Sequence, residues 1–95
     1  MDLRTELKTR PLLFDGAMGT CYAARYGTDG PACEVANVAA PQRILAIHRD
    51  YLEAGCRAIK TNTFTLSAAL AQGRREEAEA QLTAACALAK QAAAP

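Results

Sequence analysis

The stretch Pro11-Leu-Leu-Phe-Asp-Gly-Ala-Met-Gly-Thr20 decides how the rest of the chain is read. Leu12, Leu13 and Phe14 form an uninterrupted apolar run, which predicts a short strand buried on both faces of a parallel sheet. Pro11 suits the first strand position, where a missing N–H disturbs the ladder least. The run stops at Asp15, Gly16 and Gly19. A carboxylate at the end of a buried strand is costly to desolvate unless a cation or donor meets it. Glycines let the backbone turn sharply and carry its N–H groups close to a ligand. Together these residues describe a pocket for a small zwitterion, with Asp15 facing an ammonium and main-chain amides facing a carboxylate. The same residues also fit an ordinary strand-to-turn junction in which Asp15 caps the turn, and G-x-x-G alone does not choose between the two.

Outward from this stretch, residues 2–10 form a polar lead-in able to make a short helix. Cys21 to Tyr26 predicts a turn or two of helix ending at Gly27, and Gly27-Thr-Asp-Gly-Pro31 reads as loop. Glu34 and Asn37 then stand in otherwise apolar company. A clear helix begins at Pro41, a favoured first-turn position. Ile44, Leu45, Ile47, His48, Tyr51 and Leu52 recur along it at helical spacing. Gly55 is placed to end it as a left-handed cap. His48 reads as a packing histidine rather than a base, since no partner acid is apparent nearby.

After that cap, Cys56 to Thr61 predicts a second short strand, whose tip Thr61-Asn-Thr-Phe64 is rich in short polar side chains. Ser67 to Gln72 suggests a short helix stopped by Gly73. Glu76 to Ala93 predicts a long alanine-rich helix with Ala78, Leu82, Ala85 and Ala89 on one face and Leu88 beside them. Strand, helix, strand, helix implies an α/β fold with parallel strands and right-handed crossovers. Ligands bind such folds at the C-terminal strand ends, which places Asp15 and Thr61 to Thr63 on one rim.

The 95 residues allow one domain at most. The formal charge is +1 with acids and bases interspersed, which argues for neither nucleic acid nor a membrane surface. No apolar run approaches the roughly 18 residues of a membrane span. The charged N-terminal residues lack the apolar core of a secretory signal, so the expected location is cytoplasmic. Cys21, Cys33, Cys56 and Cys86 include no close pair. They predict small buried hydrophobes rather than disulfides or a zinc site.

Taken in order, Leu12 to Thr20, Glu34 with Asn37, His48-Arg-Asp-Tyr-Leu-Glu-Ala-Gly55 and Thr61 to Phe64 resemble the homocysteine S-methyltransferase family. The resemblance covers nearly the whole chain from Pro11 to about Ala93. It implies a (β/α)8 TIM barrel, a fold of about 250 residues. This chain would then supply only the first two strand–helix units, incomplete on their own, with residues 1–10 as lead-in and 11–95 as barrel. The resemblance further implies that Asp15 meets the amino group of homocysteine and that main-chain amides of Gly16, Ala17 and Met18 meet its carboxylate. Thr61, Asn62 and Thr63 would line the same pocket. In the family, zinc held by three cysteines from later strands deprotonates the thiol for methyl transfer that yields methionine. None of the four cysteines here falls at a ligand position, so the resemblance gives this chain no metal ligand and no catalytic residue. Activity of the chain alone is not expected.

The methyl donor is left open. Lys60 stands where relatives commonly carry an acidic or neutral residue, which alters the local charge. Expected partners are homocysteine and either the remaining barrel or an attached reductase or cobalamin module, without nucleic acid or membrane. The rival readings are a non-catalytic barrel remnant acting as an interaction module, and an α/β phosphate binder using Gly16 to Gly19 on a helix N-terminus. The latter lacks the lysine and serine of a P-loop.

Overall fold

The computed structural model describes residues 2–28 and 30–94; Asp29, within the turn-rich stretch, lies outside them, as do Met1 and Pro95. Six helices occur among the described residues: α1 Leu3–Thr9, α2 Met18–Tyr26, α3 Ala36–Ala39, α4 Pro41–Glu53, α5 Leu66–Ala71 and α6 Arg75–Ala93. Asp2 starts α1, its carboxylate accepting from the Arg4 N–H at 3.1 Å and the Thr5 hydroxyl at 2.9 Å. No residue of α1 is buried. A Glu6–Arg57 ion pair at 3.1 Å joins this helix to the second bridge segment. α2 begins at Met18, nearly one turn before the predicted start at Cys21.

α4 follows its sequence signals closely. Pro41 opens it, where the missing N–H has no intrahelical partner to lose. Its buried face is Ile44, Leu45, Ile47 and His48. The exit is a Schellman cap: Gly55 adopts φ +113°, its N–H reaches Leu52 O at 3.1 Å, and the Cys56 N–H reaches Tyr51 O at 3.2 Å. Tyr22 of α2, Ala36 of α3 and Leu88 of α6 close the core around the α4 aliphatics. The Tyr22 hydroxyl donates to Pro31 O at 2.6 Å and accepts from Arg43 at 3.1 Å, which ties the loop before α3 to α2 and α4.

α6 packs against α3, α4 and α5. Its buried stripe is Ala78, Gln81, Ala85, Leu88 and Ala89. The predicted face therefore shifts by one residue, leaving Leu82 at the exposed edge. Gln81 can take the inward position because its amide reaches the Glu77 carboxylate one turn back, at 3.3 Å.

The two predicted strands are not formed as strands. Their segments run parallel and meet at one isolated bridge, Phe14 with Ala58. Asp15 N–H donates to Ala58 O at 3.0 Å, and the Arg57 and Ala58 N–H groups share Leu13 O at 2.8 and 3.3 Å. The next parallel ladder bond would run from the Lys60 N–H to Asp15 O. Instead that N–H turns to the Asp15 carboxylate, at 3.2 and 3.3 Å, and the Lys60 ammonium takes Asp15 O at 3.0 Å. Side chains thus replace the ladder, and pairing stops. The expected burial on both faces is also absent, because Leu13 and Phe14 are exposed. A parallel pair with one partner and no covering layer has little to lengthen it.

Candidate functional site

A cavity of about 630 Å³ opens beyond the bridge, lined by residues 15–20, by Cys33 and Glu34, and by residues 60–65. Its size suits a small organic ligand. Asp15, Gly16, Ala17, Met18, Thr61, Asn62 and Thr63, the residues singled out in the sequence, all line it. The bridge sets this arrangement, since it leads both polar tips away from Phe14 and Ala58 on the same side.

Asp15 is the buried charge of the site, with its side chain 2% exposed. Two groups of one residue face its carboxylate: the Lys60 main-chain N–H, and the Lys60 Nζ at 2.9 Å from Oδ1. Nζ also lies 5.9 Å from the centre of the Phe14 ring. Next to Asp15 the backbone turns at Gly16 under Tyr51 of α4. A Cβ on Gly16 would stand 2.7 Å from the Tyr51 hydroxyl and would force that side chain to shift, so the close approach favours glycine. That hydroxyl donates to Ala17 O at 3.2 Å and pins the turn to α4. No side chain caps α2 at Ala17. The N–H groups of its first turn, which have no intrahelical acceptor, start at the cavity wall.

Across the cavity, Asn62 works as a lock. Its amide nitrogen donates to Cys33 O at 2.8 Å and to Asn37 Oδ1 at 3.1 Å, while its Oδ1 accepts from the Cys33 thiol at 3.2 Å. Asn37 in turn donates to Asn62 O at 2.8 Å. The Asn62 side chain is therefore engaged with the segment before α3, and the tip offers the hydroxyls of Thr61 and Thr63, which bond each other at 3.0 Å. Cys33 is half-buried, and burial, with Glu34 adding to it, pushes its thiol up to about 11. Sequence reasoning treated Cys33 as packing only. The signal that could have placed it here was the polar Glu34–Asn37 segment directly after it.

Neither ring nitrogen of His48 has a hydrogen-bond partner among the described residues. The ring is fully buried and lies outside the cavity lining, which suits packing and not acid–base work. Among the described residues, no group of three His, Cys, Asp or Glu is placed to hold a metal ion. The thiol nearest the candidate pocket, Cys33, is held protonated and spent on Asn62. The described residues do not fit a zinc ion.

Comparison with known proteins gives a consistent picture. The homocysteine S-methyltransferase family matches residues 12–95. A methionine synthase of Mycobacterium tuberculosis is 40% identical over 70 residues, covering 66% of this chain and 6% of the relative. The chain thus corresponds to about 6% of the length of the curated relative it matches. No solved structure matches it.

Proposed function

Because the chain belongs to the homocysteine S-methyltransferase family, we propose that it holds the amino-acid end of homocysteine for the methyl transfer that forms methionine. The reading is carried by one observation: the Asp15 carboxylate, nearly sealed from solvent, lies on the same cavity as the uncapped start of α2. In this reading Asp15 pairs with the substrate ammonium. The main-chain amides of Gly16, Ala17 and Met18 meet its carboxylate, where the positive end of α2 adds to the attraction. Thr61 and Thr63 supply hydroxyls across the pocket, and Asn62 keeps that wall in register with Cys33 and Asn37.

No group here is assigned to activate sulfur. In the family that is the task of zinc held by cysteines, and the described residues do not provide such a set. The segments flanking the Phe14–Ala58 bridge fit the first two strands of a (β/α)8 barrel, with residues 1–10 as lead-in and 11–95 as barrel. The exposed Leu13 and Phe14 support this, because neighbouring strands or a covering layer would bury them. A cytoplasmic setting suits the thiol chemistry, and no helix of the described residues is long and apolar enough to cross a membrane.

Titration of the ¹⁵N-labelled chain with L-homocysteine tests the site. The Gly16, Ala17 and Met18 amides should shift with saturation. Asp15→Asn should weaken binding at least about tenfold, since a desolvated charge then loses its partner. Equal affinity of wild type and Asp15→Asn would remove Asp15 from the proposed role.

A further inference from the structure

The Asp15 carboxylate is already paired. Lys60 Nζ stands 2.9 Å from its Oδ1 and 3.0 Å from the Asp15 main-chain oxygen. The pair is lopsided: the lysine side chain is 59% exposed and the aspartate 2%, so a solvent-side cation lies over a buried acid. Separately, the Lys60 main-chain N–H donates to both carboxylate oxygens, at 3.3 and 3.2 Å. The orientation of the carboxylate therefore has a support that any residue at position 60 other than proline provides. Among the described residues, the ion pair of this carboxylate is with the Lys60 side chain.

An α-amino acid brings the same kind of group to the pocket, a primary ammonium with a single positive charge and three donors. Lys60 Nζ and a ligand ammonium cannot both sit about 3 Å from Oδ1 without like-charge repulsion in a partly desolvated site. We propose that Lys60 is a specificity-determining residue: its ammonium fills the position at Asp15 that a ligand ammonium would take, so the pocket as folded disfavours α-amino acids relative to carboxylates of the same shape without the amino group. This inference rests on the reading of the cavity as an amino-acid site. The lysine side chain is 59% exposed and held at its ammonium, so an amino acid enters by displacing that ammonium toward solvent.

The experiment compares L-homocysteine with 4-mercaptobutanoate, the same skeleton without its amino group. Binding is measured by amide-shift titration to the wild-type chain, Lys60→Gln and Lys60→Arg at one pH and ionic strength. Wild type should bind L-homocysteine at least about threefold more weakly than 4-mercaptobutanoate. Lys60→Gln should tighten homocysteine about tenfold or more while leaving 4-mercaptobutanoate unchanged or weaker. Lys60→Arg, which keeps a cation over Asp15, should retain the wild-type ratio. Binding of both ligands with the same ratio in wild type and Lys60→Gln overturns the role of Lys60 and leaves the amino-acid site standing. Absence of binding by either ligand to either form overturns both readings.

Discussion

His48 is a neutral imidazole sealed in the apolar face of α4, and that has a thermodynamic consequence. Burial pushes its pKa below the ordinary histidine value, with the negative charge of Asp15 opposing the shift. In the unfolded chain the ring titrates near 6.5. Between that value and the lower folded one, the unfolded state binds more protons, so stability rises with pH. The contribution of His48 is fully present above about pH 6.5 and is lost as pH falls toward the folded value. Urea midpoints should therefore drop between pH 7.5 and pH 5.5, with a slope from this ring of at most about 1.4 kcal/mol per pH unit. His48→Leu should flatten that part of the profile. An equally steep profile in the variant would assign the acid sensitivity to other groups.

At the scale of elements, helix ends are where single residues act most clearly. The Schellman cap of α4 needs Gly55 at φ +113°, a conformation that an L side chain resists. Gly55→Ala should cost about 1 to 2 kcal/mol, read as a lower denaturant midpoint at unchanged slope; an unmoved midpoint would mean the turn relaxes without strain. That same cap explains why α4 was legible in the sequence: Pro41, a wide apolar stripe and Gly55 are local signals, and helices form from local signals. α6 was legible in extent but not in facing. In a run of alanines little distinguishes one stripe from the next, and Leu82 drew the reading one residue away from the true face through Gln81. The strand segments illustrate the opposite limit. Their composition was readable, but a ladder depends on neighbours, and here the Asp15 and Lys60 side chains replace the next rung. The same holds at the site. Strand-end logic places Asp15 and Thr61 to Thr63 on one rim, and these residues line one cavity. The Lys60–Asp15 pair and the locking of Asn62 to Cys33 and Asn37 depend on tertiary contacts that no local pattern encodes.

The whole molecule is built on one side only. Helices α2, α3, α4 and α6 share a core, whereas the bridge segments present Leu13 at 59% and Phe14 at 55% exposure, with Phe64 at 92% on the cavity rim. The Cα radius of gyration is 14.4 Å, above the about 12 Å expected for a compact domain of this length. A single isolated bridge flanked by exposed apolar side chains forms an edge that invites a further strand. The helices should still form, because α6 is rich in alanine, the best helix former. Alanine buries little area, however, at about 25 cal/mol per Å², against an ordering cost of roughly 1 to 2 kcal/mol per residue. The 95-residue chain should accordingly show helical circular dichroism, a broad thermal transition and concentration-dependent self-association in sedimentation velocity. The double variant Leu13→Ser and Phe14→Ser should reduce that association without lowering helix content, since neither residue belongs to the helical core. A wild-type chain that sediments as a monomer at all concentrations and melts in one sharp transition would show that this edge needs no cover, and the barrel-portion reading would lose its support.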